Sequence, residues 1–529
     1  MCVNATVGQQ VAEEGQWELL KQSAGLSAMH MTLTHAGTVI MYDQTKNGCP
    51  ERDVGVARPP TAQLEGRCWA HSVEYDIVRN EVRKLQSSTN TFCSSGAFLS
   101  NGTLVGMGGW QDGGKVVRYF KPCVDSTCDW IESKTPLLSR RWYASNQILP
   151  DGRVIVVGGR RSFNYEFIPR NPRDREAFKL PFLVKTNTVG EENNLYPFLY
   201  LVPDGNLFIF ANKDSILLDY NKNKVIKTFP TMPGDGARNY PSSASSSMIP
   251  LESADHFNKM EILICGGAPY GAFTEAQQKH KYVEALRSCG RMEITSQKPQ
   301  WQMEDMPGPR VMGDMLILPT GNILIINGAK NGTAGWEDGR DPAFSPLLYT
   351  PSAPVGKRFT NLAPAKIPRM YHSTALVLPD GRVLVAGSNP HQTYNLAAKP
   401  FPTELRVEAY IPPYLHSMYD HKRPAIASIS TREIKYGSKF IVSLSVSDFW
   451  IKDLHFHAYA PPFNTHAMSM HQRMLSLAVM EVVKTKENNT YLVSITAPPS
   501  SAVAPPGYYL LTAVNADVPS KSEWIRFIY

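Results

Sequence analysis

Seven times along the chain the same short text returns: an apolar strand, a small or acidic residue with glycine, a second apolar strand, then Gly-Gly or an equivalent. The copies begin with Leu33 to Asp43 around Ala36-Gly37, then AFLSNGTLVGMGG at Ala97 to Gly109 and QILPDGRVIVVGG at Gln147 to Gly159. YLVPDGNLFIFAN follows at Tyr200 to Asn212, and a looser copy ends in MEILICGG at Met260 to Gly267. The last two are LILPTGNILIINGA at Leu316 to Ala329 and LVLPDGRVLVAGS at Leu376 to Ser388. Such turn residues tolerate positive φ, as a tight hairpin needs, and the flanking Val, Ile and Leu are strand formers. Each copy therefore predicts a β-hairpin.

The hairpins recur about every fifty to sixty-five residues, the period of kelch-like propeller blades. Their strands are apolar on both faces, as expected of inner strands pressed between neighbouring blades. A sandwich would show shorter, more regular spacing. The fold class is thus all-β, beginning with a seven-bladed kelch-like β-propeller over residues 1–410. FTEAQQKHKYVEALRS, Phe273 to Ser288, has helical spacing and lies between Cys265 and Cys289, which predicts a short helix on a clipped loop. After Asn389 the rhythm stops and prolines gather at Pro400, Pro402, Pro412 and Pro413. Short alternating strands then follow, at Phe440, Ser476, Thr490 and Tyr508. That spacing predicts an immunoglobulin-like β-sandwich over residues 411–529.

Composition excludes several classes. The net charge of +7 is spread without a Lys/Arg cluster, so nucleic acid is not expected; a weak attraction to acidic cell-wall polysaccharide is compatible. No apolar run is long enough to cross a bilayer, so no membrane span is expected, and the chain reads as a monomer. Eight cysteines occur without a CxxC pair, which disfavours zinc and thioredoxin-like motifs. Four N-x-Ser/Thr sequons, at Asn4, Asn101, Asn331 and Asn488, accompany them. Together they point to disulfides, glycosylation and an oxidising, secreted, extracellular or cell-wall location. The start lacks a signal-peptide pattern, so the numbering is expected to begin at a mature terminus.

Chemistry-bearing residues cluster by position. Cys93 in TFCSSG stands before the second hairpin, Tyr143 in RRWYAS before the third, and Tyr371-His372 in PRMYHS before the seventh. Blade symmetry brings equivalent positions to one end of a propeller channel. Tyr371 and His372 are neighbours, and neighbours on a strand face opposite ways; both can meet one centre only where the strand begins or is irregular. His466, in NTHAMSMHQR, lies on a loop between strands of the C-terminal domain. Two imidazoles and phenolate oxygens suit a tetragonal Cu(II) site, whereas zinc would recruit more Cys, His or carboxylate. No Rossmann glycine fingerprint, P-loop, HExxH or GxSxG motif is present.

TFCSSG, RRWYAS followed by DGRVIVVGG, PRMYHSTALVLPDGRV and THAMSMHQR resemble the motifs of glyoxal oxidases, in the galactose oxidase superfamily of copper-radical oxidases. The resemblance spans essentially the whole chain and implies one copper ion with no flavin or NAD. It implies a thioether cross-link between Cys93 and Tyr143 that holds a radical, with Tyr143, Tyr371, His372 and His466 as metal ligands and Tyr371 as proton acceptor. Small aldehydes would be oxidised to acids and O2 reduced to hydrogen peroxide. A primary alcohol or wall galactose residue is the alternative substrate. A non-catalytic kelch wall protein is the alternative of another class, which five intact site residues disfavour. The extra N-terminal carbohydrate-binding domain of galactose oxidase is expected to be lacking. Where galactose oxidase has a tryptophan stacked on the cross-link, this chain has Arg161. Arg161 or Phe163 is expected to take that place, with Arg161 favouring oxygen-rich substrates and Trp336 at the entrance. With Cys93 set aside, nearness pairs Cys49 with Cys68, Cys123 with Cys128 and Cys265 with Cys289, leaving Cys2. His71, His455, His457 and His471 are read as structural.

Overall fold

The computed structural model describes residues 12–44, 71–487 and 489–529. The expected Cys49–Cys68 pair and the sequons at Asn4 and Asn488 lie outside the described residues.

Every predicted hairpin forms the inner half of a four-stranded antiparallel blade. The innermost strands are His30–Leu33, Ser95–Phe98, Ala144–Ile148, Phe198–Leu201, Ser245–Met248, Asp314–Ile317 and Ser373–Val377. Second strands such as Val154–Gly158 and Val383–Gly387 are buried throughout, which explains their unbroken apolar text. The D-G turns need a residue tolerant of positive φ, and Gly152 and Gly381 stand there at φ 81° and 87°. In blade 5 the short turn is replaced by a longer connection that includes the 3-10 turn Ser253–Asp255, so that copy looked loose.

The ring closes by strand exchange. Gln16–Lys21 pairs with Val407–Ile411, the last propeller strand, and so becomes the outer strand of blade 7. Closure leaves no long unpaired edge at the join. Among the described residues two disulfides are formed, Cys123–Cys128 and Cys265–Cys289. The predicted helix is shorter than its text implied: it spans Ala272–Lys279 and stops at His280, which adopts φ 50°. Ser288 and Cys289 already belong to a blade 5 strand, and Cys289 sits directly opposite Cys265. The disulfide thus ties two adjacent strands.

The C-terminal strands begin at Ala425–Ile429 and form a β-sandwich. Its long strand Arg473–Lys484 pairs with Leu454–Ala460 through Leu477 and from Ala478 onward with Thr490–Thr496, a pairing that itself contains a register shift between Val479 and Glu481. A bulge of this kind lets one strand serve both layers. The sandwich also sends a hairpin into the propeller. Phe463–Thr465 and Met468–Met470 join blade 1, with Thr465 opposite His30 and Phe463 opposite Thr32. No helix among the described residues is long and apolar enough to cross a membrane.

Candidate metal centre

One backbone device recurs at the top of blades 2 to 7. The residue one or two positions before each innermost strand has positive φ: Cys93 at 54°, Tyr143 at 65°, Tyr196 at 50°, Ser243 at 40°, Met312 at 61° and His372 at 62°. A non-glycine residue there costs about 1–2 kcal/mol, so surrounding contacts must hold it. The kink breaks strand alternation, which is how adjacent Tyr371 and His372 come to stack with centroids 3.7 Å apart.

Buried arginines brace these kinks. Arg141, Arg238, Arg310 and Arg369 each donate to a backbone carbonyl at the end of their blade's second strand: Gly158 at 2.8 Å, Gly266 at 2.5 Å, Asn327 at 2.5 Å and Gly387 at 2.7 Å. Arg141 and Arg369 also pair with buried Glu166 and Glu408, at 2.7 and 2.8 Å. Two residues after three of these arginines stands a tyrosine at the channel mouth: Tyr143, Tyr240 and Tyr371. Tyr240 was missed in the sequence, although RNY at 238–240 repeats the form of RWY at 141–143 and RMY at 369–371.

These side chains converge. Donor atoms of Cys93, His372 and His466 lie within 4.8 Å of one another, and Cys93 Sγ is 3.4 Å from His466 Nε2. The rings of His372 and His466 meet edge to face at 4.8 Å. Tyr143 and Tyr371 flank His466 with centroids 6.0 and 5.8 Å away. Tyr240 lies between the two phenols: Tyr143 Oη donates to its oxygen at 3.2 Å, and its own Oη is 2.8 Å from Tyr371 Oη. His466 occupies the tip of the inserted hairpin, where it and Ala467 have φ 48° and 64°. Its Nδ1 is 2.6 Å from Thr465 Oγ1; with Nδ1 donating, Nε2 turns its lone pair to the centre.

Burial sets the protonation. His372 and His466 are held well below the ordinary histidine range by burial, then by neighbouring imidazoles. Burial pushes the Tyr143 and Tyr371 phenols well above the usual range, and the neighbouring thiol and phenols push the same way. Cys93 is raised by burial too. The metal-free centre is therefore neutral. The buried His372 ring has no side-chain hydrogen-bond partner, and the Asn389 backbone is the one hydrogen-bonding group set against it, short of good geometry. Unpartnered buried nitrogens are costly and uncommon; lone pairs left free beside a second imidazole and two phenols fit a metal with mixed N,O preference.

A cavity of about 370 Å³ opens from the centre, with Tyr143, Tyr371, Tyr240, Phe92, Trp336 and Arg161 in its wall. Trp336 stacks on Phe92 at 5.8 Å. Phe163 does not reach this cavity; it packs on the core between blades 3 and 4. The indole beside Tyr143 is instead Trp142, the preceding residue, at 4.7 Å. The guanidinium over that indole belongs to Arg160, 5.1 Å away, while Arg161 is exposed. His30 is a further buried imidazole that the sequence reading passed over, 6.3 Å from His466 and bonded to Tyr42 O and Ser94 Oγ. His457 bonds Pro319 O at 2.7 Å, away from the centre.

A family model described as glyoxal oxidase N-terminus matches residues 29–414, and a galactose oxidase-like early set domain matches residues 423–527. The chain is 46% identical to an aldehyde oxidase GLOX of Vitis pseudoreticulata over 97% of both chains. It is 44% identical to aldehyde oxidase GLOX1 of Arabidopsis thaliana, over 97% of this chain and 85% of the relative. A solved fungal alcohol oxidase in complex with copper shares the fold, with TM-score 0.73 and 18% identity over 98% of this chain and all (100%) of that one.

Proposed function

Because the chain belongs to the glyoxal oxidase family, we propose that it is a secreted copper-radical oxidase that converts small aldehydes of the glyoxal and methylglyoxal type to carboxylic acids. The aldehyde hydrate and O2 give the acid and hydrogen peroxide, a balanced two-electron exchange. Tyr143, Tyr371, His372 and His466 would hold one copper ion, which when bound supplies one-electron redox chemistry and a Lewis acid. A thioether between Cys93 Sγ and the Tyr143 ring would store the second oxidising equivalent. Tyr371 Oη would accept the substrate hydroxyl proton, and the Tyr143 oxygen the hydrogen from carbon. Both phenols face the same cavity, so one substrate carbon can lie near both. Phe92, Trp142 and Trp336 set apolar rings in the wall around the substrate, and Arg161 offers a cation to extra substrate oxygens. The two disulfides suit an oxidising compartment.

The observation that carries this reading is the convergence of His372, buried without a side-chain hydrogen-bond partner, on a second imidazole, a thiol and two phenols. The test is peroxide formation by copper-loaded, oxidatively activated protein on methylglyoxal, glyoxal, galactose and benzyl alcohol. Peroxide from the two dicarbonyls above the others is expected; galactose or benzyl alcohol in the lead would move the substrate to alcohols. No peroxide from any of them would refute the oxidase. Peptide mapping should find the Cys93 and Tyr143 peptides joined with loss of two hydrogens.

A further inference from the structure

The site cavity is not closed on its outer side. It continues into an open groove of about 730 Å³, and the two share Trp142, Arg160 and Arg161 as common wall. Trp110 lines the groove packed against Trp142; it is 39% exposed and its ring lies 3.9 Å from that of Trp142. Arg140 lines the groove as well. A two- or three-carbon aldehyde has only a handful of heavy atoms, whereas spaces of about 300–1,000 Å³ accept far larger ligands. Beyond the shared wall, the part of the groove lined by Trp110, Asp112 and Arg140 is larger than such a substrate needs.

Its chemistry is specific. Trp110 offers the exposed indole face, since Trp142 is covered by Trp110, Tyr143 and Arg160, and three guanidinium groups edge the pair. Arg160 is committed to Glu192 at 2.9 Å. Arg140 gives one N–H to Gln111 O at 2.7 Å and has no carboxylate partner, and Arg161 makes no hydrogen bond or ion pair among the described residues. Against these three guanidinium groups the groove itself holds one carboxylate, Asp112. Asp112 Oδ1 accepts from Asn90 and Gly113 backbone N–H groups at 3.2 and 2.9 Å, and Glu191 accepts from the side chains of Asn193 and Thr274 at 3.1 and 2.9 Å. An exposed indole beside two guanidinium groups that have no carboxylate partner among the described residues matches a ligand with apolar ring faces and carboxylates. A pyranose chain of uronic acid residues has both.

We propose that this groove binds an acidic oligosaccharide and presents its aldehyde-bearing end to the Tyr143–Tyr371 cavity. The second clause rests on the oxidase reading; the first stands on the groove alone. Trp110 supports a sugar face, and Arg140 and Arg161 receive the carboxylates.

The test titrates trigalacturonic acid and, separately, neutral maltotriose into the full-length copper-loaded protein, followed by tryptophan fluorescence and calorimetry at two salt concentrations. Trigalacturonate should bind at least about tenfold more tightly than maltotriose and weaken as salt rises. Arg161→Ala and Arg140→Ala should each weaken it about tenfold, Arg140→Lys less, and Trp110→Ala should remove most of the fluorescence change. Equal binding of the neutral sugar, or unchanged affinity in the arginine variants, overturns the proposal. Peroxide formation on methylglyoxal is measured alongside. Peroxide without uronide binding defeats the groove and spares the oxidase; uronide binding without peroxide does the reverse.

Discussion

Cys93 Sγ and His466 Nε2 lie 3.4 Å apart although 373 residues separate them in the chain. The thiol comes from the top of blade 2 and the imidazole from the sandwich hairpin threaded along blade 1. The centre exists only when the two domains are assembled. His466→Ala should therefore leave the purified protein unable to retain stoichiometric copper, measured by metal analysis after loading and desalting. Thr465→Val, which frees the ring at Nδ1, should weaken copper affinity about 10–100-fold. Full copper retention in His466→Ala would exclude it as a ligand.

Tyr240→Phe keeps the ring that stacks on Tyr143 at 4.5 Å and removes the hydroxyl between the two phenols. Copper content should be unchanged, while kcat/KM for methylglyoxal falls about tenfold, the usual scale for losing a hydrogen bond to a charged group. Unaltered kinetics would mean that the hydroxyl only fills space.

Copper uptake should release protons. Burial first, and neighbouring thiol and phenols next, keep Tyr143 and Tyr371 protonated in the metal-free centre. The two imidazoles are already neutral. Each phenol that becomes a ligand must lose its proton, so affinity rises with pH by about tenfold per unit for each proton released. Calorimetry in buffers of different ionisation heat should count about one to two protons per copper. A count of zero would remove both phenols from the ligand set.

Arg369→Met should cost about 3–5 kcal/mol, because it strands the Glu408 carboxylate, 6% exposed, that Arg369 now meets at 2.8 Å. Arg382→Met breaks pairs with Asp380 and Glu18, whose carboxylates are 36% and 51% exposed, and should cost less than about 1 kcal/mol per pair. Denaturant unfolding of both variants separates the two; equal costs would mean that the arginine brace does not hold blade 7 together.

Asp314 predicts a pH dependence. Burial pushes its carboxyl up to about 8, against one hydrogen bond from Asn327 at 2.8 Å. In the unfolded chain it titrates near 3.9. Between these values the folded protein holds a proton that the unfolded chain has lost, so this group's contribution to stability falls as pH rises from about 4 to about 8. Asp314→Asn should flatten the decline of Tm over that window and be more stable than the parent at pH 8. Parallel profiles would refute the assignment.

The sequence by itself determined the blades. Hairpin formation is local: a D-G or equivalent turn with apolar strands on both sides is complete within about a dozen residues, so seven copies were readable from text. The motif residues were legible for the same reason, since Cys93, Tyr143 and Tyr371-His372 hold fixed offsets from those hairpins. Tyr240 escaped because blade 5 lacks the short turn, and only the shared Arg-x-Tyr form marks it. The helix after Gly271 was overread because its periodic text runs on into a strand whose partner, at Cys265, is remote. What the tertiary structure alone decided is which side chains meet. The threading of the His466 hairpin into the channel depends on pairing Thr465 with His30, a contact between the two ends of the chain. The cover beside Tyr143 likewise went to Trp142 and Arg160 in place of Arg161 or Phe163, because a positive-φ kink turns the chain there. Local propensity reports a turn; it does not report which way the next ring will face once neighbouring blades pack around it.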